Sequence, residues 1–340
     1  MTTLVAKRLP SVPLASVSAP AVSRWWAAGL LVALAWSSLG ALTLLWPNKE
    51  VGFSDWAYTA EFGWFALAVA ALFAVLSVLP SLGGPLTDRL RVAGPWLVAV
   101  AVALALWEVY TAKLGTLPTP FFAPPQSLAE VYISDWPRLL ECLVNSIKLL
   151  AVGVIIGGLA GFQVGVLIGW SRTANYWIHP LLRVLGPVPT TALLPISFYF
   201  FPSSWATAIF LIALGTAFPV AILTWSGVAS VNKNLYDVAR TMGASPWFLV
   251  LRVAIPAALP QVFVGLFMGL GAAFSTLVVA EMLGVKSGLG WYLTWAQGWA
   301  AYPNMYGALI LMALLFSGVI TLLFLARDRV LSWQKGIVKW

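Results

Sequence analysis

Eight runs of about twenty mostly apolar residues, at 25–46, 63–80, 95–112, 144–170, 185–202, 205–229, 260–281 and 304–326, dominate this chain of 340 residues. Each is long enough to cross a hydrocarbon core about 30 Å thick as a helix rising 1.5 Å per residue. Repeated eight times, that length predicts an all-α polytopic membrane protein of about eight transmembrane helices. Pro187, Pro189 and Pro195 interrupt the fifth run. Proline is tolerated in membrane helices where neighbours satisfy the carbonyls it frees, so 185–202 is kept as one span.

Composition excludes most other classes. Hydrophobic residues make up 61% of the chain and charged residues 9%, with a mean hydropathy of +0.91. A soluble domain carries about 25% charged residues. A soluble enzyme, a nucleic-acid binder and a disordered scaffold are therefore excluded, although the formal charge is +8. That charge reflects basic residues held on one side of a bilayer. With the N-terminus inside, the segments 1–24, 81–94, 171–184, 230–259 and 327–340 hold 14 of the 19 Lys and Arg residues. The positive-inside rule then makes these segments, and both termini, cytoplasmic.

Several readings follow along the chain. Residues 1–24 carry Lys7, Arg8 and Arg24 ahead of a 22-residue apolar run. A cleaved signal peptide has an apolar region of about 7–15 residues, so 25–46 is read as a retained first helix. The first two spans and the loop 81–94 look like an appended pair (1–94), followed from Pro95 by a core at 95–326 and a tail at 327–340. Cys142 and His179, each the sole residue of its type, allow no disulfide, cysteine cluster or histidine-rich metal site, and are read as packing residues. No metal site is predicted. In span 144–170, Gly153, Gly157, Gly161, Gly165 and Gly169 recur every fourth residue. Such a row forms a groove where another backbone approaches closely, in this subunit or a second one. Gly265 and Gly269 repeat the spacing.

The internal loop 230–259 reads as two short helices meeting at a corner. Asn234 can cap the first, Asp237 lies near its positive end, and Leu235, Ala239 and Met242 share one face. Gly243 suits a left-handed C-terminal residue, and Ser245-Pro246 starts a second helix as cap and first residue. Pro256 and Pro260 are expected to end that helix before the next span. The plain reading is a connector lying on headgroups; the sharper one is a lever that docks on a cytoplasmic partner.

Asp237-Val238-Ala239, Gly243, Val253 and Ile255-Pro256 resemble the EAA loop of importer-type ABC transporter permeases, whose signature is E-A-A, three residues, G, nine residues, then I-x-L-P. The spacing is intact. Asp replaces Glu, Val the first Ala, Val the Ile and Ile the Leu, while Ala239, Gly243 and Pro256 match. The segment VVAEMLGVKSGLG at 278–290 resembles the A-E-M-L-x4-G-L-G-Y stretch of the nitrate/sulfonate/taurine/bicarbonate importer permeases. PVPTTALLP at 187–195, FFAPPQSLAEV at 121–131 and RVLSWQKG at 329–336 resemble the same group. The likeness covers about 95–340.

The resemblance implies a six-helix type I importer core, preceded here by two extra helices. It implies a non-catalytic subunit in the bacterial inner membrane, with ATP and Mg held on partner ABC ATPase subunits and no cofactor on this chain. A G-x4-G-K-[ST] phosphate loop is indeed missing from the sequence. Further implied partners are a periplasmic or lipid-anchored solute-binding protein, a second permease copy and membrane lipids. Asp237, Ala239, Gly243 and Pro256 would couple to the ATPase. Glu281 is either a water-facing end residue or lies beneath the docked binding protein, and Glu108 is expected to reach the interface. Pathway candidates are Gln163, Ser197, Ser275 and Thr276, each of which could equally bond a neighbouring helix. Solutes handled by such permeases include nitrate, sulfonates, taurine and bicarbonate. A secondary transporter or channel is the alternative; it would need coupling carboxylates or a polar filter near the midplane.

Overall fold

A computed structural model describes residues 26–49, 56–78, 85–118, 120–186 and 188–333, with 85–89 by backbone only. The expectations for Lys7, Arg8, Arg24, loop residues 79–84, Pro187 and the tail beyond 333 lie outside these residues. Among the described residues all regular structure is helical. Seven helices are long and apolar enough to cross a membrane, or eight if one bent pair counts as a single span.

The chain forms two compact units, one of residues 1–49 and 59–109, the other of residues 50–58 and 110–340. The first is built from α1 (Ala27–Leu45), α2 (Thr59–Val78) and α3 (Pro85–Glu108). Small residues bring α1 and α2 together: a methyl on Gly40 would lie 3.0 Å from the carbonyl oxygen of Gly63. Val32, Trp36, Leu39, Ala66, Phe73 and Ala101 fill the space between the three helices. Trp36 Nε1 donates to the Leu97 carbonyl at 3.2 Å. This grouping differs from the division read at 94/95. The third span packs with the first two, because the face carrying Leu97 and Ala101 meets α1. Glu108 is fully buried and accepts from Thr43 Oγ1 at 2.7 Å.

The second unit is centred on α5 (Trp136–Trp170), α8 (Ser204–Ala229) and α11 (Ile255–Leu283). The glycine row of α5 faces α8, so the groove is filled within the subunit. A Cβ at Gly161 would lie 3.0 Å from Ala217 Cα, and one at Gly153 would overlap Ile212. Gly265 and Gly269 of α11 seat another stretch of α8, where added methyls would lie 3.0 Å from Val220 Cα and from the Thr216 carbonyl. Helix α8 is thus gripped by two glycine rows. Tight backbone approach and dispersion contacts drive this association, since lipid offers no hydrophobic contrast.

The fifth apolar run, 185–202, is not one helix, and the segment 171–184 read as a cytoplasmic loop is helical. Helix α6 (Arg172–Leu185) is followed by a 3₁₀ turn (Thr190–Leu193) and α7 (Leu194–Phe200), bent by 88°. Pro189 removes a donor and biases Val188 towards extended backbone, so the helix does not run through. Helices α4 (Pro125–Ser134), α12 (Leu289–Gly298) and α13 (Tyr302–Val330) pack at one end of α5 and α11.

Candidate functional site

At the end of α8 the chain leaves the bundle as a corner. Helix α9 (Lys233–Thr241) is capped by Asn232, whose Oδ1 accepts from Asn234 N–H at 3.0 Å; the cap is two residues earlier than expected. Gly243 has φ +83°, and the turn closes with Ala244 N–H donating to Ala239 O at 3.0 Å and Gly243 N–H to Arg240 O at 2.9 Å. That bond pair is the glycine-dependent helix stop in which a left-handed residue satisfies the last carbonyls. Nothing lies within 4 Å of a Cβ at Gly243, so its conformation and not its space demands glycine. Ser245 Oγ then accepts from Phe248 N–H at 3.3 Å and Pro246 opens α10 (Pro246–Phe248).

No side chain of α9 is buried. Asp237 and Arg240 are exposed and 3.6 Å apart, a screened pair of the kind that stabilises little. Leu235, Val238, Met242, Trp247 and Phe248 are all at least half exposed, a patch of apolar surface around the glycine. Ala239 is half-buried, and Tyr236 meets the Trp170 ring edge-on at 5.9 Å. Such a patch on a stiff corner is suited to docking.

The corner does not end before the next span, contrary to the expectation for Pro256 and Pro260. Helix α10 runs through a π-helical turn (Leu249–Ala254) directly into α11, giving a continuous element Pro246–Leu283 of 38 residues. Pro256 falls in the first turn of α11, where its missing N–H costs least, and Ile255 N–H bonds Val250 O across the wide turn. Pro260 lies inside the helix.

Farther along α11, Ser275 and Thr276 line a cavity of about 480 Å³ together with Thr190, Thr191 and Pro189 from the broken span and Pro219 from α8. Thr276 Oγ1 and Thr190 Oγ1 share a hydrogen bond of 2.8 Å. Ser197 is buried in α7, and Gln163 sits on an exposed face of α5 beside Trp170 and Trp247, away from this cavity. Two of the four pathway candidates are therefore brought together, and Thr190 and Thr191 join them. The threonines sit in the proline-bearing stretch, whose break was the available signal.

The far end of α11 carries Glu281, 1% exposed. Its Oε1 accepts from Ser146 Oγ at 2.7 Å and its Oε2 from Gly290 N–H at 2.8 Å. Ser146 Oγ in turn accepts from Leu289 N–H at 2.9 Å. Gly288, with φ +131°, and Gly290 leave the room that the carboxylate occupies. Glu281 is thus neither water-facing nor a surface contact. It ties the 284–290 turn and the start of α12 to α5, with Asn145 Nδ2 bonding Ser287 Oγ at 2.6 Å alongside. Tyr292 donates to Asp135 Oδ2 and accepts from Asn304 Nδ2, both at 2.6 Å, and Arg138 lies 4.4 Å from the Trp295 ring centroid. Burial and the Asp135 carboxylate both hold the Tyr292 hydroxyl well above its ordinary pKa, so it stays a donor. Among the described residues no three His, Cys, Asp or Glu side chains converge as metal ligands.

Comparison with known proteins places these features. The family model described as the binding-protein-dependent transport system inner membrane component matches residues 153–334. A Bacillus subtilis (strain 168) protein named for aliphatic sulfonates transport, the permease SsuC, is 30% identical over 71% of this chain and 87% of its own length. The nitrate import permease protein NrtB of Synechococcus elongatus is 29% identical over 72% of this chain and 89% of its own. A solved structure of the MetNI methionine ABC transporter in an inward-facing conformation aligns at 20% identity, with a TM-score of 0.49, over 59% of this chain and 96% of that chain. The matched segment contains the glycine row, the corner and Glu281, and the chain belongs to the family of binding-protein-dependent transport system inner membrane components.

Proposed function

We propose that this permease forms the pathway for a small anion of the sulfonate or nitrate type, delivered by an external binding protein and driven by separate ATPase subunits. The observation that carries this reading is the continuous 38-residue element Pro246–Leu283. At about 1.5 Å per residue it is some 57 Å long and reaches across the whole membrane. One end is the exposed corner at Gly243, the last third bears Ser275 and Thr276 on the cavity, and the far end bears the Glu281 cradle.

ATP and Mg bind the partner subunits, and this chain carries no cofactor and no catalytic group. Closure of the ATPases moves the corner through Asp237 and the apolar side chains around Gly243. The helix carries that displacement to Thr276, whose hydrogen bond to Thr190 is a neutral contact worth about 1 kcal/mol and is broken at low cost in each cycle. The cavity then opens beside hydroxyl groups that can solvate an anion without trapping it as a fixed cation would. At the far end, the 284–290 turn fastened by Glu281 offers the surface on which the binding protein sits. Both termini and the corner face the cytoplasm, and a second copy of the chain completes the pathway.

Co-reconstitution of the chain with its ATPase subunits and binding protein in liposomes tests this reading. Uptake of a sulfonate or of nitrate that requires ATP and the binding protein is expected. Uptake that proceeds without ATP, driven by an ion gradient, would overturn it.

A further inference from the structure

Helix α6 has 14 residues and buries none of them. It begins at a Ser171 cap whose Oγ accepts from Ala174 N–H at 3.3 Å, and it stands at 88° to the chain that follows. Its level in the bundle is fixed by His179, which packs against Trp225 in the last turns of α8, with ring centroids 4.3 Å apart. That is the end of the bundle from which the α9 corner emerges. The side towards the protein carries the half-buried Ala174, Ile178 and Leu182.

The other side is divided lengthwise. Trp177, Leu181 and Val184 form an apolar strip, exposed by 68%, 59% and 71%. Arg172, Tyr176 and Arg183 flank it at helical spacing, all exposed, and no acidic residue occurs from Ser171 to Gly186. A strip of Trp and aliphatic residues edged by Arg and Tyr matches the depth profile of a bilayer surface, with rings and aliphatic groups at the acyl boundary and guanidiniums among phosphates. A soluble partner would leave this strip in water whenever it dissociated. The uniformly positive edge complements an anionic leaflet.

We infer that α6 lies in the plane of the membrane surface as an anchor for anionic lipid, with Trp177, Leu181 and Val184 at the acyl boundary and Arg172 and Arg183 on lipid phosphates. The inference is independent of which solute the permease carries. It gives the chain a lipid-binding surface next to the corner, and predicts that phosphatidylglycerol is enriched there.

Full-length protein carrying Cys142→Ala and a single new thiol at Trp177→Cys, Leu181→Cys or Leu235→Cys is spin-labelled. It is then placed in nanodiscs of phosphatidylcholine alone or of an equal mixture with phosphatidylglycerol. Labels at 177 and 181 should meet oxygen and be shielded from an aqueous relaxant, while the label at 235 on α9 meets the relaxant. Native mass spectrometry of retained lipid should show Arg172→Gln/Arg183→Gln losing preference for phosphatidylglycerol by about tenfold, and Arg172→Lys/Arg183→Lys keeping it. Water-accessible labels at 177 and 181 in both lipids would overturn the inference. So would shielding that needs added ATPase or a second permease copy, or an unchanged lipid preference in the Gln variant.

Discussion

At the scale of single residues, Gly243 and Glu281 do opposite work. Gly243 holds φ +83° over open space, so Gly243→Val adds no clash but strains the left-handed corner by about 1 kcal/mol or more. The variant should insert and accumulate normally, yet hydrolyse ATP without matching uptake once assembled with its ATPase. Asp237→Ala should do the same more weakly. Normal coupling ratios in reconstituted vesicles would show that the corner does not transmit. Glu281, by contrast, is an internal fastener. Glu281→Ala leaves Ser146 Oγ and Gly290 N–H buried without their acceptor, at about 1–3 kcal/mol for each group. A fall in the detergent-solubilised melting temperature is expected, larger than for Ser146→Ala, and an unchanged melt would refute the fastener. Gly243 was legible in the sequence because its constraint is local, five residues deep. The Glu281 cradle was not, because Ser146 lies 135 residues away and no local pattern encodes that meeting.

At the scale of elements, periodicity spoke clearly where one helix sufficed to define the contact. Five glycines at fourth positions on α5 announce a groove, and α8 fills it. Gly157→Val would drive a side chain into the Ala213 backbone, an overpacking penalty that cannot be relieved by rotamer change. Loss of the monodisperse peak in fluorescence-detected size exclusion is expected. Gly271→Ala, with nothing within 4 Å of the added methyl, should leave that peak intact. Equal behaviour of the two would remove the packing explanation. What periodicity did not reveal was continuity and bending. Pro256 and Pro260 suggested a stop where a π-helical turn instead carries the helix on, whereas the prolines of 187–195 suggested a tolerated kink where the helix turns by 88°. Proline states that a hydrogen bond is missing; the neighbours decide whether the chain absorbs that loss or breaks.

At the scale of the whole molecule, hydropathy alone established the class, but not whether the bent pair counts as a crossing or which crossings pack together. The grouping of α3 with α1 and α2 depends on side chains such as Trp36 and Leu97 that look alike in any span. A chain starting at Pro85 would lose Thr43, and with it the hydrogen bond to the buried Glu108 carboxyl within the bilayer. Its yield in membranes should fall severalfold, and Glu108→Gln in the shortened chain should recover part of it, because a neutral amide is cheaper to hold in hydrocarbon than a carboxylate. Equal yields with and without the first two helices would separate them from the stability of the rest.

The two glycine rows around α8 have a mechanical consequence. Helices locked backbone to backbone cannot shear past one another, so α5, α8 and α11 respond to a load as one stiff beam. Compliance then falls outside these glycine contacts, in the joint made by the 3₁₀ turn Thr190–Leu193. Thr276 rides on the beam and Thr190 on the joint, so work delivered at one end of the molecule has a single place to appear as displacement.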